Sequence, residues 1–411
     1  MIYFDNGATT FPKPRSVVNA VNYAITQIGA NPGRGGHKMA MKASEVLYDC
    51  RKNAAELFDI DNPENVIITN NCTTALNTVV KGILKSGDHA VISSYEHNAV
   101  VRPLEYLKTK GVDYSVAEIE FGDTEKTIDN FRNSFKENTK LVICTHASNV
   151  FGVRLPIERI AALCRLNGIL FCTDAAQTAG IIPISMKNSD IDFLCTAGHK
   201  GLYGPMGTGL LIINSEVIPE SLTQGGTGSL SAQINQPEIL PDKFESGTHN
   251  LLGIAGLNEG IKYVLNKTPQ KIFVYEIKLA QNLYDGLRKI KNIELYTPKP
   301  DEKQFVPVIS FNLKDTDSER TAQILNDRFN IAVRAGLHCA PLAHKCFGTL
   351  EKGTVRAVIS SFSTQNEVNY LVKSVSQINY YKRIRSGWIR YKKIICSQIK
   401  TYCSNSNVSI W

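Results

Sequence analysis

From residue 66 to residue 213, short apolar runs alternate with longer amphipathic stretches, and few folds accommodate that rhythm. "NVIITN", "HAVISS", "KLVICTH" and "ILFCTDAA" have the length and β-branched content of buried strands. Helical patterns lie between them: one from Thr73 to about Leu84, one near "NAVVRPLEYLKTKG", and "PIERIAALCRLNG", which stops at Gly168. "IDFLCTAGHK" and "GTGLLIIN" add further strands. Such alternation predicts an α/β fold, with a parallel sheet covered by helices on both faces.

Beyond about residue 255 the pattern changes. A long helix is expected at "EIKLAQNLYDGLRKIKN", strands at "FVPVISFNL" and "NIAVRAG", and a helix near "TQNEVNYLVKSVSQI". This predicts a large domain over 15–255 and a smaller α/β domain over 256–380, with residues 1–14 crossing back to join the smaller one. With 411 residues, the chain is long enough for two such domains.

The net charge of +8 is concentrated in one place. Residues 381–411 hold seven Lys or Arg and no acid, which leaves +1 for the rest of the chain. The body therefore gives no reason to expect nucleic acid as a partner. The tail continues neither pattern and is read as an extension outside the fold, with an amphipathic arm for an anionic surface or RNA as the alternative. No apolar run is long enough to span a bilayer, and "MIYFDNGATT" has no signal-peptide character, so the expected location is cytoplasmic. The ten cysteines are scattered singly and form no CxxC pair, which suits reduced, buried thiols.

One lysine stands out. In "CTAGHKGLYGPMGTG", Lys200 sits among small and apolar residues with no neighbouring charge except, on protonation, His199. A buried amine with a lowered pKa is what Schiff-base chemistry requires. Other polar residues fall at predicted strand ends, where open α/β sheets bind ligands: His97 in "SSYEHNAV", Asn149 in "THASNVFG" and Asp174 in "FCTDAAQTAG". Asp174 there can pair with a protonated ring nitrogen, and Gln177 can donate to a ring oxygen. "ITNNCTTALNTVV" reads as strand, polar turn and helix start. Its free backbone N–H groups and the hydroxyls of Thr73 and Thr74 suit a phosphate, but alone the signal is weak and plain capping is the better explanation. Each residue alone has an ordinary structural explanation; their convergence carries the reading.

Taken together, the chain resembles the cysteine desulfurase and selenocysteine lyase family of class V aminotransferases, the fold-type I pyridoxal-phosphate (PLP) enzymes. The resemblance covers about residues 1–380. It rests on "YFDNGATTFP", "NPGRGGH", "YEHNAVVRP", "HASNVFGVRLPI", "TDAAQTAG", "GHKGLYGPMGTG", "FESGTHN" and "VRAGLHCAP", in this order. It implies a mainly parallel seven-stranded sheet in a PLP-binding large domain. It also implies roles. Lys200 would hold PLP covalently, Asp174 would pair with the ring nitrogen, and Gln177 and Asn149 would lie on the ring-oxygen side. His97 would stack on the ring, while Thr73, His199 and the backbone of Cys72 would hold the phosphate. Thr248 would reach the phosphate bound by a partner subunit, giving a homodimer with shared active sites. Arg356 would clamp the substrate carboxylate, with Asn149 and Arg334 beside it. Two positions depart from the family pattern. Ala197 stands where Ser or Thr usually supplies a phosphate donor, and His249 stands where proline is common.

The stretch "VRAGLHCAPLAHKCFG" decides the reaction. Cys339 follows His338 in a loop that also carries Arg334, and neighbouring positive charge favours a thiolate. In the family this cysteine takes the sulfur of L-cysteine as a persulfide while L-alanine leaves, and selenocysteine is a plausible second substrate. A sulfur-acceptor protein would follow. A metal site built from His338, Cys339, His344 and Cys346 is disfavoured by its spacing, and no metal is expected. Two other readings stay open: a class V aminotransferase, epimerase or lyase without persulfide chemistry, and a non-catalytic sulfur carrier or scaffold.

Overall fold

A computed structural model describes residues 1–33 and 35–378; the tail 381–411 lies outside them. The strands are β1 (Ile2–Tyr3), β2 (Val66–Thr69), β3 (His89–Ser93), β4 (Asp113–Ala117), β5 (Thr139–Thr145), β6 (Leu170–Asp174), β7 (Phe193–Ala197), β8 (Gly209–Ile213), β9 (Ile293–Leu295), β10 (Val308–Leu313), β11 (Ile331–Ala332), β12 (Arg334–Gly336) and β13 (Thr354–Val358). The α-helices are α1 (Arg15–Tyr23), α2 (Lys38–Phe58), α3 (Cys72–Ile83), α4 (Asn98–Lys108), α5 (Thr124–Ser134), α6 (Ile157–Leu166), α7 (Leu251–Lys267), α8 (Pro269–Leu287), α9 (Ser318–Phe329) and α10 (Pro341–Cys346). A last helical stretch covers 365–378. Among the described residues no helix is long and apolar enough to cross a membrane.

Seven strands form the main sheet in the order β2-β8-β7-β6-β5-β3-β4. All run parallel except β8, which is antiparallel to both β2 and β7. The expected α/β architecture with a seven-stranded, mainly parallel sheet is therefore present. Its strands read as continuous apolar runs because both faces are buried. In β5, Leu141 and Ile143 enter one core with α3 and α4, while Val142 and Cys144 enter the other with α2, α6 and α7. The period of two along each strand separates the two cores.

A second, antiparallel sheet has the order β12-β13-β10-β9 and shares an apolar core with α8, α9 and residues 368–378. The N-terminus crosses to this part: Ile2 of β1 pairs in parallel with Ile331 of β11, and Asp5 bridges to Val358. The division expected at 255/256 falls inside α7, a continuous helix that packs into the same core as α2.

Candidate active site

Parallel strands place their carboxyl ends along one edge: Asp174 ends β6 there, and the loops leaving β3, β5 and β7 carry His97, Asn149 and Lys200 to it. These four line one cavity of about 110 Å³, together with Asn71, Cys72, Thr73, Gln177, Ala197 and His199. The turn holding Lys200 is tightly packed. A Cβ on Gly201 would strike the carbonyl of Ala179, and one on Gly180 would strike the carbonyl of Gly201, so neither position accommodates a side chain.

The amine of Lys200 makes no hydrogen bond or ion pair among the described residues. Part of the side chain stays open to the cavity, yet burial dominates and lowers the pKa from its ordinary value, with Asp174 acting in the opposite direction. Asp174 is almost fully buried at the end of β6. Its Oδ1 accepts the Ala176 N–H at 2.9 Å and the Cys72 thiol at 3.5 Å, which leaves Oδ2 for another donor.

Asn71 caps α3, its Oδ1 accepting the Thr74 N–H at 2.8 Å. Cys72 and Thr73 are then the first helical residues, and their N–H groups have no partner within the helix. An anion fits that position. His199 lines the same cavity with a buried Nδ1 that lacks a partner among the described residues, and burial pulls its pKa down to about 4. Ala197 lines the same cavity and offers no hydroxyl. Thr196 points away and donates to the Ala175 carbonyl at 3.5 Å.

His97 caps α4, its Nδ1 accepting the Ala99 N–H at 3.0 Å, so Nε2 carries the proton of the neutral ring. Burial is the main cause of its lowered pKa, helped by Lys200, Arg102 and Arg356. Gln177 lines the cavity but also donates to the Gly7 carbonyl at 3.2 Å. Asn149 donates to the His338 carbonyl at 2.7 Å, and its own carbonyl accepts Arg356 Nη1 at 2.7 Å.

Cys339 is exposed, and both it and His338 adopt positive φ, 57° and 49°. This left-handed pair turns the chain sharply between β12 and α10. The Cys339 carbonyl accepts the Asn98 N–H at 2.7 Å, which ties the loop to the first residue of α4, next to His97. Arg356 is 2% exposed, and its electrostatic neighbours include Asp5, Arg334 and Cys339. The other candidate metal ligands are engaged elsewhere. His338 Nε2 contacts the Thr354 carbonyl at 3.0 Å, His344 Nδ1 contacts the Thr349 hydroxyl at 2.7 Å, and the Cys346 thiol points to the Ser94 carbonyl.

A model of the family described as aminotransferase class-V matches residues 2–371. The chain belongs to that family. A probable cysteine desulfurase of Pyrococcus abyssi is 33% identical over 399 residues, covering 94% of this chain and 96% of that protein. A probable cysteine desulfurase of Methanothermobacter thermautotrophicus is 31% identical over 383 residues, covering 92% and 94%. The apo structure of a cysteine desulfurase from Thermococcus onnurineus superposes with a TM-score of 0.84 at 32% identity, covering 92% of this chain and 94% of that one. Within class V, then, the chain falls among the cysteine desulfurases.

The structure adds contacts of the N-terminal segment that the sequence did not indicate. The N-terminal strap reaches the Lys200 turn: Lys13 Nζ donates to the His199 carbonyl at 2.8 Å, and the Thr10 hydroxyl to the Lys200 carbonyl at 3.0 Å. Asp5 sits between Arg334 and Arg356. None of these was expected from the sequence; the polar run "DNGATT" holds Asp5 and Thr10 but not Lys13. Thr248 lies elsewhere, in a separate cavity of about 480 Å³ with Thr69, Thr223 and Gln224.

Proposed function

We propose that this chain is a pyridoxal-phosphate-dependent cysteine desulfurase, taking sulfur from L-cysteine, releasing L-alanine and carrying the sulfur as a persulfide on Cys339. The observation that carries the reading is a juxtaposition. An exposed cysteine is tied by its backbone to the head of α4, beside the cavity where a partnerless lysine amine and a buried aspartate face each other.

The residues present suit the cofactor. The Lys200 amine has no competing partner, Asp174 keeps one oxygen for a ring nitrogen, and the first amides of α3 with His199 suit the phosphate. Pyridoxal phosphate supplies an electron sink that allows the substrate's Cα–H and C–S bonds to break. Lys200, with its pKa lowered by burial, holds an amine ready to move a proton at the substrate Cα. His97, its Nδ1 held by the Ala99 N–H, would cover the face of the cofactor ring. Arg356, with Arg334 and Asn149 beside it, orients the substrate carboxylate. Cys339 as thiolate accepts the sulfur: one thiol and L-cysteine become one persulfide and L-alanine, and the atoms balance. Selenocysteine suits the same chemistry.

Thr248, outside the Lys200 cavity of its own chain, is assigned to the phosphate of a partner subunit, so that a homodimer shares its sites. The sulfur then passes to an acceptor. The eight described cysteines are all free thiols, which supports a reducing, cytoplasmic setting.

The test pairs a spectrum with turnover. Purified protein with added cofactor should absorb in the visible, and Lys200→Ala should abolish that band. With L-cysteine and a reductant, alanine and sulfide should form in equal amounts, and Cys339→Ala should stop both. Cofactor binding without cysteine turnover would redirect the reading to another class V reaction.

A further inference from the structure

A groove leads away from Cys339 between α3 and α4, with a volume of about 430 Å³. Its head is formed by Cys339, Thr73 and Asn98. From there each helix contributes residues at steps of four: Asn77 and Lys81 after Thr73, Arg102 and Tyr106 after Asn98. Steps of four lie along one helix face, so both series line a single channel. At its far end the helices meet again, where Lys81 Nζ stands 5.1 Å from the centre of the Tyr106 ring.

Eight residues of helix rise by about 12 Å, which matches about four residues of extended peptide. A small thiol would fill only the head. The charge along the groove has one sign. Lys81 and Arg102 are exposed and have no carboxylate partner among the described residues, and Lys110 approaches the same Tyr106 ring at 5.9 Å. Glu105, the acid on α4, does not line the groove, and its carboxylate accepts the Tyr114 hydroxyl.

Building on the desulfurase reading, we infer that this groove receives the sulfur acceptor as an extended acidic peptide segment, with its thiol at the Cys339 end and carboxylates along Arg102 and Lys81. The acceptor's thiolate attacks the outer sulfur of the Cys339 persulfide. One S–S bond forms and one breaks, the bonding pair leaves with Cys339 as its thiolate, and no external oxidant or reductant is needed. Tyr106 offers a flat apolar surface where the segment ends, and the unpaired cations steer it into the channel.

The test separates the two half-reactions. The full-length protein, loaded with cofactor, is treated with L-cysteine, and the persulfide on Cys339 is quantified by mass. After removal of free cysteine, transfer is timed to a hexapeptide with one cysteine and three glutamates, and to its counterpart with three lysines. Per persulfide, the glutamate peptide should react about tenfold faster at low salt, and the gap should close as salt rises. In the double variant Lys81→Glu, Arg102→Glu, the order should reverse. Equal rates for the two peptides, or an order unmoved by charge reversal, would overturn the groove while leaving the persulfide reading intact. Absence of any persulfide on Cys339 would overturn the desulfurase reading and this inference with it.

Discussion

The Asp5 carboxylate meets the Arg356 guanidinium at 3.3 Å and ties the N-terminal strap to β13. The same carboxylate lies 3.0 Å from Arg334 Nη2. Arg356 is buried, and burial brings its pKa down to about 10 while Asp5 acts against that shift. Asp5 thus holds the guanidinium charged and aimed before any substrate arrives. Asp5→Asn leaves a buried arginine facing another arginine, and the expected loss of stability is about 3 kcal/mol. Denaturant unfolding measures it directly. A midpoint unchanged from wild type would show that Arg356 is compensated by the Asn149 carbonyl alone.

Ala197 lines the cavity at the end of β7 without a hydroxyl, and its neighbour Thr196 uses its own hydroxyl on the Ala175 carbonyl. Ala197→Ser adds a donor where the phosphate is expected. One extra hydrogen bond to a charged group contributes about 1.5 kcal/mol, so cofactor binding should tighten about tenfold. Titration of the apo protein with pyridoxal phosphate, followed by absorbance, gives the dissociation constant. Unaltered affinity would remove position 197 from the phosphate site.

The strand-end residues were legible for a physical reason. A parallel sheet buried on both faces writes its strands as apolar runs, and polar residues at their carboxyl ends need an explanation beyond packing. His97, Asn149, Asp174 and Lys200 were found this way and share one cavity. The strap contacts were not legible, because Lys13 and the carbonyl it holds are 186 residues apart and no local pattern encodes the pair. The 21-residue helix α2 escaped as well. Its core-facing side carries a buried Arg51, which interrupts the apolar stripe that marks an amphipathic helix. Thr248 shows a third limit: only the family resemblance singled it out, and within one chain it lines a cavity other than that of Lys200.

Two buried carboxyl groups make stability fall with pH. Glu96, beside His97, and Glu276, under Tyr203, are both pushed up by burial to about 8. Each has an oxygen with no partner, Glu96 Oε2 and Glu276 Oε2. Between the unfolded value near 4.5 and about 8, the folded state holds protons that the unfolded state releases. Their contribution is complete below 4.5 and is lost as pH rises through about 8. The buried histidines, with lowered pKa values, act in the opposite sense only below about 6.5, and Lys13, lowered to about 8, acts only above about 8. From pH 6.5 to 8 the carboxyl groups should therefore dominate, with a slope of up to about 1.4 kcal/mol per pH unit for each. Glu96→Gln should roughly halve that slope in a series of denaturant titrations. A stability that rises over this window in wild type would contradict the assignment.

Glu245 joins elements far apart in sequence. Its Oε1 accepts Arg51 Nη1 and the Ile68 N–H, both at 2.7 Å, and its Oε2 takes Arg51 Nη2 and His249 Nε2. Arg51 also donates to the Val66 carbonyl at 2.6 Å. One buried pair thus fixes α2, the start of β2 and the loop that carries Thr248. Both side chains are almost wholly buried, at 7% and 2% exposure, so removing one charge strands the other. Glu245→Gln should cost about 3–5 kcal/mol. Replacing both, with Arg51→Met and Glu245→Leu, should recover most of that loss, because no uncompensated charge is left in the core. The two variants also separate packing from function. If the pair serves mainly to hold Thr248 for a partner subunit, the double variant will regain stability and still bind cofactor weakly. Equal losses of stability in the single and double variants would show instead that the backbone bonds to Val66 and Ile68, rather than charge compensation, are what the pair provides.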